Sequence, residues 1–149
     1  MKMPAIFIAI SLLALTGHAQ VGDLSSEQAE LVAATLILEA GGERHANAMV
    51  AIYEVIRNLS VARKKTLVEV CFKRKQFSCW NNTSKHQELL AHAKKHKNFS
   101  NALDIVKRAK DTNVTCGADH YHAKRVNPYW VPTMTRTAVI GNHIFYRSK

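Results

Sequence analysis

The stretch that most constrains this chain is residues 31–43, LVAATLILEAGGE. It is a run of apolar side chains delivering a carboxylate to its end. If residues 25–40 form a helix, Glu39 shares a face with Leu36, Thr35 and Val32, one and two turns back. A carboxyl on an apolar face is partly stripped of water, so its pKa is expected to rise. It would then stay protonated near neutrality, as a general acid must. The plain alternative is a glutamate that ends the apolar stripe and reaches solvent. Gly41 and Gly42 then break the helix, and Glu43 follows at i, i+4 from Glu39. On an unbroken helix the two carboxylates would be neighbours. Retaining glycosidases hold two carboxyls about 5–5.5 Å apart, so a lysozyme-like dyad is one reading of the pair. The other is that Glu43 caps the next helix, where the helix dipole favours negative charge.

The flanking sequence predicts helices first and a small sheet last. Ser25 with Gln28 forms a capping-box signal that opens the first helix. Met49, Ile52, Tyr53 and Ile56 follow helical spacing, predicting a second helix over residues 44–59. Thr66 with Glu69 is a second capping box and starts a short helix through Phe72. Ser84 with Gln87 repeats the signal ahead of a solvated basic helix within residues 85–97. A further helix is expected over residues 101–110. Gly117 precedes an alternating segment, ADHYHA, with β preference. Near the end, residues 137–140 and 143–146 flank Gly141-Asn142, a hairpin signal. The order is that of an α+β fold, a mostly helical N-terminal part packed on a small antiparallel sheet, in one domain.

The leader and the charge point to work outside the cytoplasm. Residues 4–15, PAIFIAISLLAL, are an apolar core behind Lys2, too short for a comfortable bilayer span. Gly17-His18-Ala19 offers small residues where a signal peptidase reads. Residues 1–19 therefore read as a signal peptide, or as a weak uncleaved anchor, and residues 20–149 as the working domain. The formal charge of +10 loses only Lys2 with that leader. A basic surface suits an anionic partner, either nucleic acid, an anionic membrane or a cell-envelope polymer. Export and the lack of a recognisable binding motif make nucleic acid the weakest of the three. Of the three cysteines, Cys71 lies in the apolar run 67–72, which leaves Cys79 and Cys116 as the expected disulfide of an exported domain.

Two further clusters suggest chemistry. Phe77, Trp80, Tyr121, Tyr129 and Trp130 stand in otherwise polar segments, where exposed rings would suit sugars. Packing between the helices and the sheet is the alternative. In Asp119-His120-Tyr121-His122, a strand would put His120 and His122 on one face. With His143 they could hold zinc and make a metal-dependent amidase. Histidines packed beside aromatics are the commoner outcome.

Taken together, LEAGGE at residues 38–43, VIRN at 55–58, KQFSCW at 75–80, GADHYHAKRVNPYW at 117–130 and IGNHIFYR at 140–147 resemble the SleB/CwlJ-type cell wall hydrolases. Asn58-Leu59 departs from the Asn-Arg common in that family, and Cys116 before Gly117 is a second departure. The resemblance implies a lysozyme-like or lytic-transglycosylase-like catalytic domain acting on peptidoglycan glycan strands; a monomer is expected. The resemblance implies no metal or other cofactor, while the short leader gives the expectation of no stable membrane span after processing. It implies cleavage of the β-1,4 bond following N-acetylmuramic acid, with Glu39 as the single acid/base and a 1,6-anhydro sugar as product. It also implies that Gln76, Phe77, Ser78, His120, Tyr121, His122 and Trp130 line the groove. Glu43 and Trp80 join the candidate binding residues from their own positions. Two other classes stay open, the metal-dependent amidase using His120, His122 and His143, and a non-catalytic envelope-binding module.

Overall fold

The computed structural model describes residues 23–149; the expected signal peptide, residues 1–19, lies outside the described residues. Five α-helices precede a three-stranded antiparallel sheet. The helices are α1 (Ser26–Ala40), α2 (Ala48–Arg63), α3 (Leu67–Phe72), α4 (His86–Lys94) and α5 (Phe99–Arg108). The strands are β1 (His120–Ala123), β2 (Thr135–Ile140) and β3 (His143–Arg147), in the order β1-β3-β2. This is the α+β architecture expected. No helix among the described residues is long and apolar enough to cross a membrane.

The capping boxes at Ser25–Gln28 and Thr66–Glu69 both form and start α1 and α3. The third does not. Asn82 accepts from the Ser84 N–H and hydroxyl instead, capping a short 3-10 turn that leads into α4. That turn satisfies the first free N–H groups before Ser84 can. The second helix starts at Ala48 rather than residue 44, so Glu43 does not cap it.

α1 runs through the middle of the molecule and packs on α2, α3, α4 and α5. Val32, Ala33, Ala34, Thr35 and Leu36 are all fully buried, so the helix is enclosed on every side. Burial of side chains such as Leu36 and Val32 stabilises the fold by about 1.5–3 kcal/mol each. Gly41 ends α1 in tight quarters, because a Cβ there would press on the Ile37 carbonyl.

One face of α2 holds the segment that leads into the sheet. Glu54, Arg57 and Asn58 stand at i, i+3 and i+4 and so project together. Glu54 is fully buried; Oε1 accepts from the Val114 N–H at 2.8 Å, and Oε2 accepts from the Thr115 N–H at 2.8 Å and its hydroxyl at 2.6 Å. Arg57 donates to the carbonyls of Ala109, Lys110 and Thr112, taking up acceptors left free as α5 ends. Asn58 Nδ2 donates to the Ala118 carbonyl at 2.7 Å. Glu54, together with Arg57 and Asn58 of the VIRN stretch, is thus a brace that sets where β1 begins.

Phe77 and Trp80 are a correction to the sequence expectation. They are not exposed sugar platforms but core residues, 1% and 4% exposed. The Trp80 indole N–H donates to Thr35 Oγ1 at 2.9 Å, against the middle of α1. The polar residues around them in sequence face out, and the local turn folds the two rings in.

The expected bridge is a second correction. All three thiols are free: Cys71 is buried, Cys79 partly so, and Cys116 exposed. Cys79 turns toward Glu39 and Cys71, whereas Cys116 sits on an outer turn in the left-handed region, at φ 54°.

Candidate active site

Glu39 reaches the surface where α1 ends, and the sheet meets it there. β1 alternates, so Tyr121 points inward while His120 and His122 point to the other face. The Tyr121 hydroxyl donates to Glu39 Oε2 at 2.6 Å. Its ring stacks on Phe145 with centroids 5.6 Å apart. Burial, and then the adjacent Glu39 carboxylate, push the Tyr121 phenol well above the ordinary tyrosine range. It therefore remains a donor at any physiological pH and holds one oxygen of Glu39 in place.

Glu39, Lys75, Gln76, Ser78, His120, Tyr121 and Trp130 line one cavity of about 270 Å³. The structure thus gathers most of the expected groove residues. Lys75 is the member that the sequence did not single out. It takes the left-handed conformation, φ 65°, with its N–H donating to Asn81 Oδ1 at 2.9 Å. Nothing in the run of basic residues 73–75 marks that backbone turn.

His122 does not line this cavity. It stacks on Tyr146 at 5.3 Å, meets Trp130 edge-on at 5.7 Å, and its Nε2 lies 3.1 Å from the Tyr146 hydroxyl. His120 also packs on Trp130, at 5.3 Å, with Nδ1 2.9 Å from Asp119 Oδ1. The pair is a support for the Trp130 wall of the groove. Tyr129 is 93% exposed and stands outside it.

His143 lies on the inward face with Tyr121, edge-on to its ring at 5.1 Å. It therefore does not converge with His120 and His122, and no cluster of metal-ligand type forms among the described residues. The three-histidine amidase site is not assembled.

Glu43 goes neither to Glu39 nor to a helix start. It is nearly buried, and its Oε2 accepts from the Asn142 N–H at 2.9 Å in the β2–β3 turn. Its Oε1 lies 2.7 Å from His143 Nδ1, close but poorly angled for a hydrogen bond, so the contact is ionic when the imidazole is protonated. Gly141, at φ 56°, makes room for this, since a Cβ there would collide with the Glu43 carboxylate. Glu43 lines a separate hollow with Arg44, His45 and Asn142. The carboxylates are not a dyad. Glu43 latches the hairpin beside Tyr121, and Glu39 alone faces the groove.

A family model described as Cell Wall Hydrolase matches residues 43–146. The chain belongs to the cell wall hydrolase family. The match takes in the α2 brace, the groove residues 75–78 and the whole sheet, and it starts four residues after Glu39. Two solved structures share this cell wall hydrolase's fold. One is the catalytic domain of the germination-specific lytic transglycosylase SleB from Bacillus anthracis, at TM-score 0.66 and 22% identity, covering 85% of this chain and 98% of that one. The other is the catalytic domain of the Bacillus cereus SleB protein, at TM-score 0.61 and 22% identity, covering 85% of this chain and 94% of that one. No curated protein sequence matches the chain.

Proposed function

We propose that this cell wall hydrolase is a lytic transglycosylase, acting outside the cytoplasm as a monomer on peptidoglycan glycan strands. It cleaves the β-1,4 bond that follows N-acetylmuramic acid, with Glu39 as its single acid and base. The observation that carries this is the lone carboxyl in the groove, steadied on one oxygen by the Tyr121 hydroxyl at 2.6 Å. The SleB likeness and the basic charge, +10 over the whole chain and less only Lys2 without the leader, suited to an anionic wall, support it.

The chemistry needs one proton carrier. Protonated Glu39 gives its proton to the glycosidic oxygen as the bond from C1 breaks. The sugar left at C1 takes oxocarbenium character. The carboxylate then takes the proton of the C6 hydroxyl of the same muramoyl residue, and that oxygen closes on C1. No water enters, and Glu39 ends protonated as it began. Tyr121 can donate to Oε2 in both states, leaving Oε1 to exchange the proton. Trp130, backed by His120, supplies a flat apolar wall for a sugar face, and Gln76 and Ser78 supply polar groups beside it.

Mass spectrometry of purified peptidoglycan after digestion tests the proposal. Products ending in 1,6-anhydro-N-acetylmuramic acid are expected. Reducing-end products one water heavier would make the enzyme a hydrolase instead. Fragments released only as free peptides would sink the glycosidic assignment. Residues 1–19 are proposed as the export signal, and intact mass of the exported protein checks for cleavage after Ala19.

A further inference from the structure

Beside the Glu39 groove lies a second hollow, of about 580 Å³, lined by Arg63, Lys65, Glu69, Phe72 and Lys73. The two share a wall. Arg63 Nη1 donates to Gln76 Oε1 at 2.7 Å, and Gln76 lines the groove. Three cations stand against one carboxylate, and that carboxylate is occupied. Glu69 Oε2 accepts from the Thr66 N–H at 2.8 Å, and Oε1 lies 3.4 Å from Lys65 Nζ. Arg63, with one nitrogen on Gln76, keeps further donors in its guanidinium fork. The half-buried Phe72 ring gives an apolar floor, braced by Trp80 at a centroid distance of 4.8 Å and by His86 at 5.2 Å.

We propose that this hollow is a subsite for the carboxylate-bearing peptide stem of the muramoyl residue. The proposal rests on the reading of Glu39 as acting on peptidoglycan. A glycan strand in the groove must send its stem out over one wall, because the stem branches from the sugar ring. The stem carries free carboxylates and short apolar side chains. A planar guanidinium fork matches a carboxylate in geometry as well as charge, and the Phe72 floor suits the methyl groups between. Lys65 and Lys73 are exposed, so each adds a modest, salt-screened attraction. The resulting preference for stem-bearing strands is several-fold, not absolute.

The test uses glycan strands of equal length, with stems intact or removed by an amidase, from walls freed of attached phosphate polymers. Binding is measured to the Glu39→Gln protein, which prevents turnover, and to the same protein carrying Lys73→Glu. Arg63→Ala/Lys73→Ala is a second variant that removes the guanidinium fork and one ammonium without reversing charge. Stem-bearing strands should bind several-fold tighter, with the margin falling toward one in both variants and shrinking as salt is raised. Equal binding of the two strands, or a margin that survives both variants, overturns the subsite. Wild-type protein is tested for cleavage of both strands in parallel. If it cleaves neither while the margin persists, the transglycosylase assignment fails and the subsite stands. If it cleaves both with no margin, the subsite alone fails.

Discussion

The Tyr121 hydroxyl and the Glu39 carboxylate, 82 positions apart in the chain, meet at 2.6 Å. That contact joins the end of the central helix to the first strand of the sheet. Tyr121→Phe keeps the ring on Phe145 and removes only the donor. A misoriented acid costs up to about 10²-fold, so kcat on peptidoglycan should fall roughly 10–100-fold with little change in KM. Wild-type activity in the Phe variant would remove Tyr121 from the mechanism.

The same burial predicts an alkaline signature. The folded Tyr121 phenol has its pKa raised above 10.0, by burial first and then by Glu39. Tyr53 is raised as well, by burial, with Arg57 opposing. Below the unfolded value both states of each tyrosine are protonated, and stability is untouched. As pH climbs past about 10 the unfolded chain ionises first, so stability is lost on the alkaline side. Absorbance titration should show these two tyrosinates appearing only together with unfolding. Their ionisation in the intact fold would contradict the burial.

Glu39→Gln should abolish wall lysis while circular dichroism stays that of the wild type. The volume is nearly conserved, but an amide cannot lend and recover a proton. Loss of general acid–base help is worth roughly 10²–10⁴-fold. Glu43→Gln should be milder, because the amide oxygen can still accept from Asn142 while only the charge facing His143 is lost. The opposite ranking on peptidoglycan would exchange the roles of the two residues.

Glu54→Leu should be among the most damaging substitutions away from the groove. It leaves the buried Thr115 N–H and the partly buried Val114 N–H without their acceptor. At about 1–3 kcal/mol for each orphaned donor, the cost is roughly 2–6 kcal/mol, read from urea unfolding. A loss below about 1 kcal/mol would mean that the loop finds other acceptors.

Thiol labelling separates the cysteines. Burial pushes the Cys71 thiol up to about 12, and burial together with the Glu39 charge raises Cys79 further. The thiolate is the reactive form, and Cys116 is the exposed thiol, so it should label quickly in the folded protein, ahead of Cys71 and Cys79, with all three labelling after denaturation. Fewer than three in denaturant without reductant would reveal a bridge.

What the sequence by itself determined is local. The Ser25–Gln28 and Thr66–Glu69 boxes, the Gly141-Asn142 turn and the apolar run into Glu39 act between residues a few positions apart, so pattern alone predicts them. The separated motifs also sufficed to suggest the family. What only the tertiary structure decided depends on where distant elements dock. Glu43 has the spacing of a dyad or a cap, yet its carboxylate goes to Asn142 and His143, 99 positions on for the first. Phe77 and Trp80 sit among polar residues, yet their rings fill space beside α1. Cys79 and Cys116 have the composition of a bridge but turn to different surroundings. Short-range periodicity encodes which face of an element is apolar; which partner that face meets follows from packing the whole core at once, and that choice placed Tyr121 on Glu39.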